Sequence, residues 1–179
     1  MTAERTIVPM NLLTRLFRSP PDPREALRPL WHRVVEISRE PEWYAQCGVA
    51  DTVAGRFDMI TAVLAVALLR LERDEDCRPQ ASLLTELFVE DMDGQLREGG
   101  VGDIVVGKHI GRLMASLGGR LGAYRAGLAG EASLEEALRR NVTLLDDRGP
   151  DPLAQRLRAL AGQLDTADIG EVLAGRIER

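Results

Sequence analysis

Apolar residues recur along this chain at steps of three and four, with no convincing alternation by two, so the pattern predicts helices rather than strands. Residues 10–18 form a short amphipathic piece, with Leu12, Leu13, Leu16 and Phe17 on one side and Arg15 and Arg18 on the other. It is read as a helix docked on the core in preference to one lying on a membrane surface. Ser-Pro-Pro-Asp-Pro at 19–23 breaks it, and Asp22 with Pro23 reads as the cap and first residue of a helix to about Arg39. Pro41 opens a short piece with Trp43 and Tyr44 that Gly48 ends. A helix from Asp51 or Thr52 to about Arg73 is apolar nearly all round, which places it in the centre of a bundle. Further helices are expected at about 80–98, 104–128, 134–144, 151–164 and 166–177, with a Ser133/Glu136 capping box opening the third of these. The fold class is therefore all-α, a single-domain multi-helix bundle around the helix at about 51–73. Within it we distinguish an N-terminal amphipathic segment (1–20), a main helical domain (21–145) and a loosely docked C-terminal helical hairpin (146–179).

Two features depart from generic amphipathicity. The stripe Leu84, Leu87, Phe88, Met92 continues by threes and fours, and Asp91 falls inside it. A carboxylate on an apolar face must find a partner or stay near water. Asp91 is thus a structural anchor or part of a binding surface, and the anchor reading pairs it with Arg56 or Arg120 in a buried or half-buried salt bridge. Asp93 lies on the other side, and Arg97, one turn further on, should pair with it. Gly99-Gly100 stops this helix, and Asp103 caps the next.

The second feature lies in the 104–128 helix. Opposite its apolar stripe (Ile110, Leu113, Met114, Leu117, Leu121, Tyr124, Leu128) runs a stripe of small residues: Gly107, Gly111, Ala115, Gly118, Gly122 and Ala126. Four interior glycines would cost roughly 2–4 kcal/mol relative to alanine. Close approach to another helix would offset that. The expected partner is the central 51–73 helix, and the alternative is a docking groove for another protein.

Composition narrows the function. The chain has 179 residues, 45% hydrophobic and 28% charged, enough for one proper core. Its net charge of −5 argues against direct DNA binding. The longest uncharged run, Met59–Leu69, is too short for a transmembrane helix, which needs about 20 residues. With no visible signal peptide, the expected location is cytoplasmic, at most peripheral to a membrane. Cys47 and Cys77 read as free buried thiols. All but one of the 23 basic residues are arginine; the exception, Lys108, is read as chance in preference to a position suited to a compact ammonium.

Catalytic chemistry is hard to find. There is no Gly-x-Ser-x-Gly elbow, phosphate loop or His-Glu-x-x-His. Asp91-Met92-Asp93-Gly94 resembles half a calcium loop with its glycine misplaced. Glu90, Asp91 and Asp93 could hold a metal in principle, but a solvated acidic face is the simpler reading. His109 has no second ligand one turn away. No enzyme activity and no cofactor are expected.

Taken in order, Gly55-Arg56-Phe57-Asp58-Met59, Asp91-Met92-Asp93 with Leu96-Arg97-Glu98, Gly100-Val101-Gly102-Asp103 with Val106 and Lys108, and Gly119-Arg120 with Ala123-Tyr124 resemble the ubiquinol–cytochrome c chaperone family, bacterial relatives of a mitochondrial assembly factor for the cytochrome bc1 complex. The resemblance covers roughly residues 30–130. It implies an all-helical, cofactor-free, non-catalytic chaperone that binds cytochrome b, or another bc1 subunit, during respiratory-chain biogenesis. The alternative is a divergent helical interaction or scaffold module with a different client. A ribosome or a small helical protein is a further implied partner, and the implied setting is the cytoplasm, at or near the inner membrane. Candidate binding or structural residues under this resemblance are Arg56, Asp58, Asp91, Asp93, Arg97, Asp103, Lys108, Gly111, Arg120 and Tyr124.

Overall fold

A computed structural model describes residues 22–98, 103–145 and 147–178, with the side chains of residues 96 and 103–106 excepted. The 10–18 segment and the Gly99-Gly100 helix stop lie outside the described residues. A 3-10 turn over Pro23–Leu27 leads into α1 (Arg28–Ser38), followed by α2 (Pro41–Ala45) and α3 (Val53–Glu72). A second 3-10 turn (Glu75–Cys77) precedes α4 (Arg78–Glu98) and α5 (Asp103–Leu128). Then come α6 (Leu134–Asn141), α7 (Asp151–Thr166) and α8 (Ile169–Leu173). The all-α bundle read from periodicity is the observed fold, and its only described pairing of extended backbone is an isolated bridge between Val49 and Leu144.

Local chemistry sets the boundaries. Asp22 does cap the first turn, accepting from the Arg24 N–H at 2.9 Å. That turn stays 3-10 where a continuous α-helix was expected. Pro29 has no N–H to give an i−4 carbonyl and disfavours α geometry in the residue before it, so α1 starts with Pro29 in its first turn. The Thr52 hydroxyl caps α3 through the Gly55 N–H at 3.1 Å. Ser133 caps α6 through the Glu136 N–H at 3.1 Å, but the Glu136 carboxylate turns to Arg139, so the box is only half made.

Helix α3 sits at the centre, packed by α1, α4, α5 and α7. Met59, Ala62, Val63, Leu64, Ala65 and Leu71 on several of its faces are all essentially inaccessible. That is the burial a helix apolar all round requires. Trp31 of α1 meets Phe88 of α4 edge-on at 5.9 Å. Far from being loose, the C-terminal helices share this core: Leu153, Leu157, Leu160 and Leu164 of α7 are buried, as are Val172 and Ile177 beyond it. Arg70 of α3 donates to the Leu164 carbonyl at 2.8 Å, and Arg33 of α1 to that of Ile177 at 2.8 Å. Gly175, at φ +72°, lies where a Cβ would stand 2.5 Å from the Pro29 carbonyl oxygen, so both its conformation and its surroundings favour glycine.

Two further sequence expectations fail here. The small-residue stripe does not pack on α3: Gly111, Ala115, Gly118 and Gly122 face outward, with open space where a Cβ would go at each glycine. The face of α5 that meets α3 carries Leu117, Arg120 and Tyr124 instead, and the large side chains claim the core because they bury more apolar area. Asp91 is also exposed rather than anchored. The core line of α4 runs Leu84, Phe88, Met92, and a step of four from Phe88 to Met92 turns Asp91 past the edge of the buried face.

Candidate functional site

The first constellation is a buried ionic node on α3. Asp58 follows the capped first turn of that helix, where Gly55 lets the chain approach so closely that a Cβ would lie 2.0 Å from the Ala50 carbonyl oxygen. Its Oδ1 accepts from Arg120 Nη2 at 2.7 Å. Its Oδ2 accepts from the Thr143 backbone N–H at 2.9 Å and hydroxyl at 2.8 Å. Arg120 Nη1 donates to the Thr61 hydroxyl, which in turn donates to the Asp58 carbonyl at 2.8 Å. The guanidinium also lies 5.7 Å from the centre of the Phe57 ring.

These bonds tie α3, α5 and the segment after α6 together. The same segment pairs with the turn before α3, through Ala50 N–H to the Thr143 carbonyl and Leu145 N–H to the Gly48 carbonyl, both at 2.9 Å. Asp58 and Arg120 are each under a tenth exposed, and they pair with each other through Oδ1 and Nη2. This is the chemistry of a fastener: both oxygens of the Asp58 carboxylate and both terminal nitrogens of Arg120 are spent on partners inside the bundle. Tyr124, one turn beyond Arg120, is fully buried, and its hydroxyl and Arg120 Nε find no hydrogen-bond partner among the described residues. Burial pushes the Tyr124 phenol up to about 12, and the Asp58 charge works in the same direction against Arg120.

The second constellation is an open groove of about 990 Å³ where the first turns of α3 meet the end of α4 and the start of α5. Phe57, Ile60, Met92 and Leu113 form its apolar lining, with Val53 and Ala54 at one end. Val53 is 89% exposed, although valine is a residue normally drawn inward. Arg39, Arg56, Gln95 and His109 make the polar rim. Arg56 pairs with Asp51 at 2.6 Å on the exposed surface, and this contact holds the Asp51 carboxyl below its usual range. A smaller groove of about 480 Å³ lies between α1 and α4, lined by Trp31, Val35 and Leu87 under a mixed border that includes Arg28, His32, Glu90 and Asp91.

The structure thus distributes the sequence candidates unevenly. Asp58, Arg120 and Tyr124 come together. Arg56 lies on the groove rim and pairs with Asp51, while Arg120 pairs with Asp58, so neither takes Asp91. Asp93 and Arg97 form the expected surface pair at 2.6 Å. Lys108 and Gly111 are exposed on α5, and the side chain of Asp103 lies outside the described residues. Thr61, Thr143 and the groove lining were not read from the sequence. A signal for the node was present: Asp58 lies a full turn inside a helix that carries no further charge from there to Arg70. No cluster of side chains that could hold a metal ion occurs among the described residues.

Comparison with known proteins decides the family. A model of the ubiquinol–cytochrome c chaperone family matches residues 45–177, which cover the node and most of the groove. The chain belongs to the ubiquinol–cytochrome c chaperone family. The match extends through α7 and α8, well past the 30–130 stretch where the resemblance was legible. A solved structure, the crystal structure of the Cbp3 homolog from Brucella abortus, superposes with a TM-score of 0.71 at 28% identity, covering 93% of each chain. No curated protein matches the chain.

Proposed function

We propose that this protein is an assembly chaperone that holds cytochrome b during biogenesis of the cytochrome bc1 complex, working at the inner-membrane surface without catalysis or a cofactor. The open groove lined by Phe57, Ile60, Met92 and Leu113 carries the reading. A freshly made membrane subunit exposes apolar helix surface that must be covered until assembly, and a non-catalytic cover needs an apolar concavity held on a rigid frame. Met92 suits such a surface, since an unbranched thioether adapts to different partners. The Asp58–Arg120 node supplies rigidity directly beneath, because Phe57 flanks the guanidinium and also lines the groove. No described helix is long and apolar enough to cross a membrane.

A deletion strain tests this reading. Loss of assembled bc1 complex, restored by the wild-type chain and not by Val53→Glu, is the expected result. Normal bc1 levels in the deletion strain would overturn it, and would favour a helical scaffold with a different client.

A further inference from the structure

The described rim of the large groove carries two arginines in a chain with the opposite charge balance. The protein as a whole is acidic, at −5, yet the groove lining contains Arg39, Arg56 (whose guanidinium also meets Asp51 just outside the lining) and His109, and no carboxylate among the described residues. Arg39, exposed at the end of α1, makes no ion pair among the described residues. The groove also receives the amino end of α3, whose aligned peptide dipoles add positive potential. On the same end of α5, Lys108 and Arg112 lie one turn apart, both exposed and without an ion pair among the described residues. The smaller groove shows the contrast, since Glu36, Glu90, Asp91 and Glu98 offset its Arg28.

We infer that the groove recognises an apolar helical segment flanked by carboxylates, seated with its acidic end against Arg39 and Arg56. This specifies the client chemistry and rests on the chaperone reading above. The apolar lining supplies contact for residues repeating at i, i+3, i+4 and i+7, and the rim sets the direction in which the segment lies and rejects segments with basic flanks.

Two fluorescent synthetic helix-forming peptides of about 15 residues test the inference, with the same apolar face and either Glu-Glu or Lys-Lys at one end. Binding to the full chain is followed by anisotropy. The Glu-flanked peptide should bind about tenfold tighter at low salt, from an ion pair with Arg39 and one with Arg56 shared with Asp51, set against two like-charge contacts for the Lys-flanked peptide. The gap should close near about 1 M salt, where screening acts within a few ångströms. The double variant Arg39→Glu/Arg56→Glu should reverse the preference, and Val53→Glu, at a fully solvated position, should weaken both peptides. Equal binding of the two peptides overturns the charge assignment and leaves the chaperone reading standing. Binding of neither removes the groove as the docking site, while bc1 levels in the deletion strain still judge the chaperone reading separately.

Discussion

Asp58 and Arg120, 62 residues apart in sequence, meet at 2.7 Å inside the bundle, and each keeps about a tenth of its side-chain surface accessible. Removing one partner leaves an uncompensated buried charge. Asp58→Ala or Arg120→Ala should each lower stability by about 3–5 kcal/mol in denaturant titrations. A well-packed apolar replacement of both, such as Asp58→Leu/Arg120→Met, should recover much of that loss, though Thr143 would then lack its acceptor. Asp91→Ala, on the exposed side of α4, should stay within about 0.5 kcal/mol of wild type. A large loss at Asp91 would contradict the partner assignment.

Tyr124 behaves differently because its hydroxyl is buried without a partner among the described residues. Tyr124→Phe should leave stability unchanged or raise it by about 1 kcal/mol, since it removes an unsatisfied group and keeps the ring. The folded phenol titrates near about 12, above its ordinary value of 10.0, so the native state holds its proton more tightly. Its contribution is therefore complete below pH 10 and is lost as pH rises from about 10 to about 12. Alkaline unfolding curves of wild type and Tyr124→Phe should diverge in that window.

The acid limb should come from surface contacts that bind helix to helix. The hydrogen bond from Arg158 of α7 at 2.7 Å, first among its causes, holds the Glu135 carboxyl of α6 down at about 2. A folded value below the unfolded 4.5 means stability that is present above about pH 4.5 and lost as pH falls toward about 2. Glu135→Gln should flatten that part of the acid-denaturation profile and leave the profile above pH 5 unchanged in shape.

Glycines of α5 divide by surroundings. Gly118 and Gly122 have open space where a methyl group would stand, so Gly118→Ala and Gly122→Ala should each stabilise by about 0.5–1 kcal/mol. At Gly127 a Cβ would stand 2.8 Å from the Leu134 Cα, so Gly127→Ala should destabilise by forcing α5 and α6 apart. Thermal melts of the three single variants separate the two cases.

The sequence exposed the bundle readily because helix periodicity and caps are local: Thr52, Ser133 and the apolar run from Met59 to Leu69 carry their meaning within a few residues. Arg97 with Asp93 was legible for the same reason, being one turn apart. The node was legible only as separate residues. Pairing Asp58 with Arg120 and Thr143 depends on how α3, α5 and the segment after α6 cross, which no spacing rule gives. Asp91 misled because a stripe stepping by threes and fours has an edge, and a one-residue rotation decides whether a position there is buried or wet. The small-residue stripe misled for a related reason: glycine spacing permits close packing without specifying a partner, and Leu117 and Tyr124 on the opposite side fill the core. The groove, made by three helix ends distant in sequence, had no linear signature at all.

The client surface is tested most directly by a photo-crosslinking residue placed at position 53, on the groove, and at exposed position 131, beyond the end of α5, in cells of the native organism. A covalent adduct with cytochrome b from position 53 and none from position 131 is the expected result. No cytochrome b adduct from position 53, or equal adducts from both positions, would contradict the assignment of this groove as the place where the client is held.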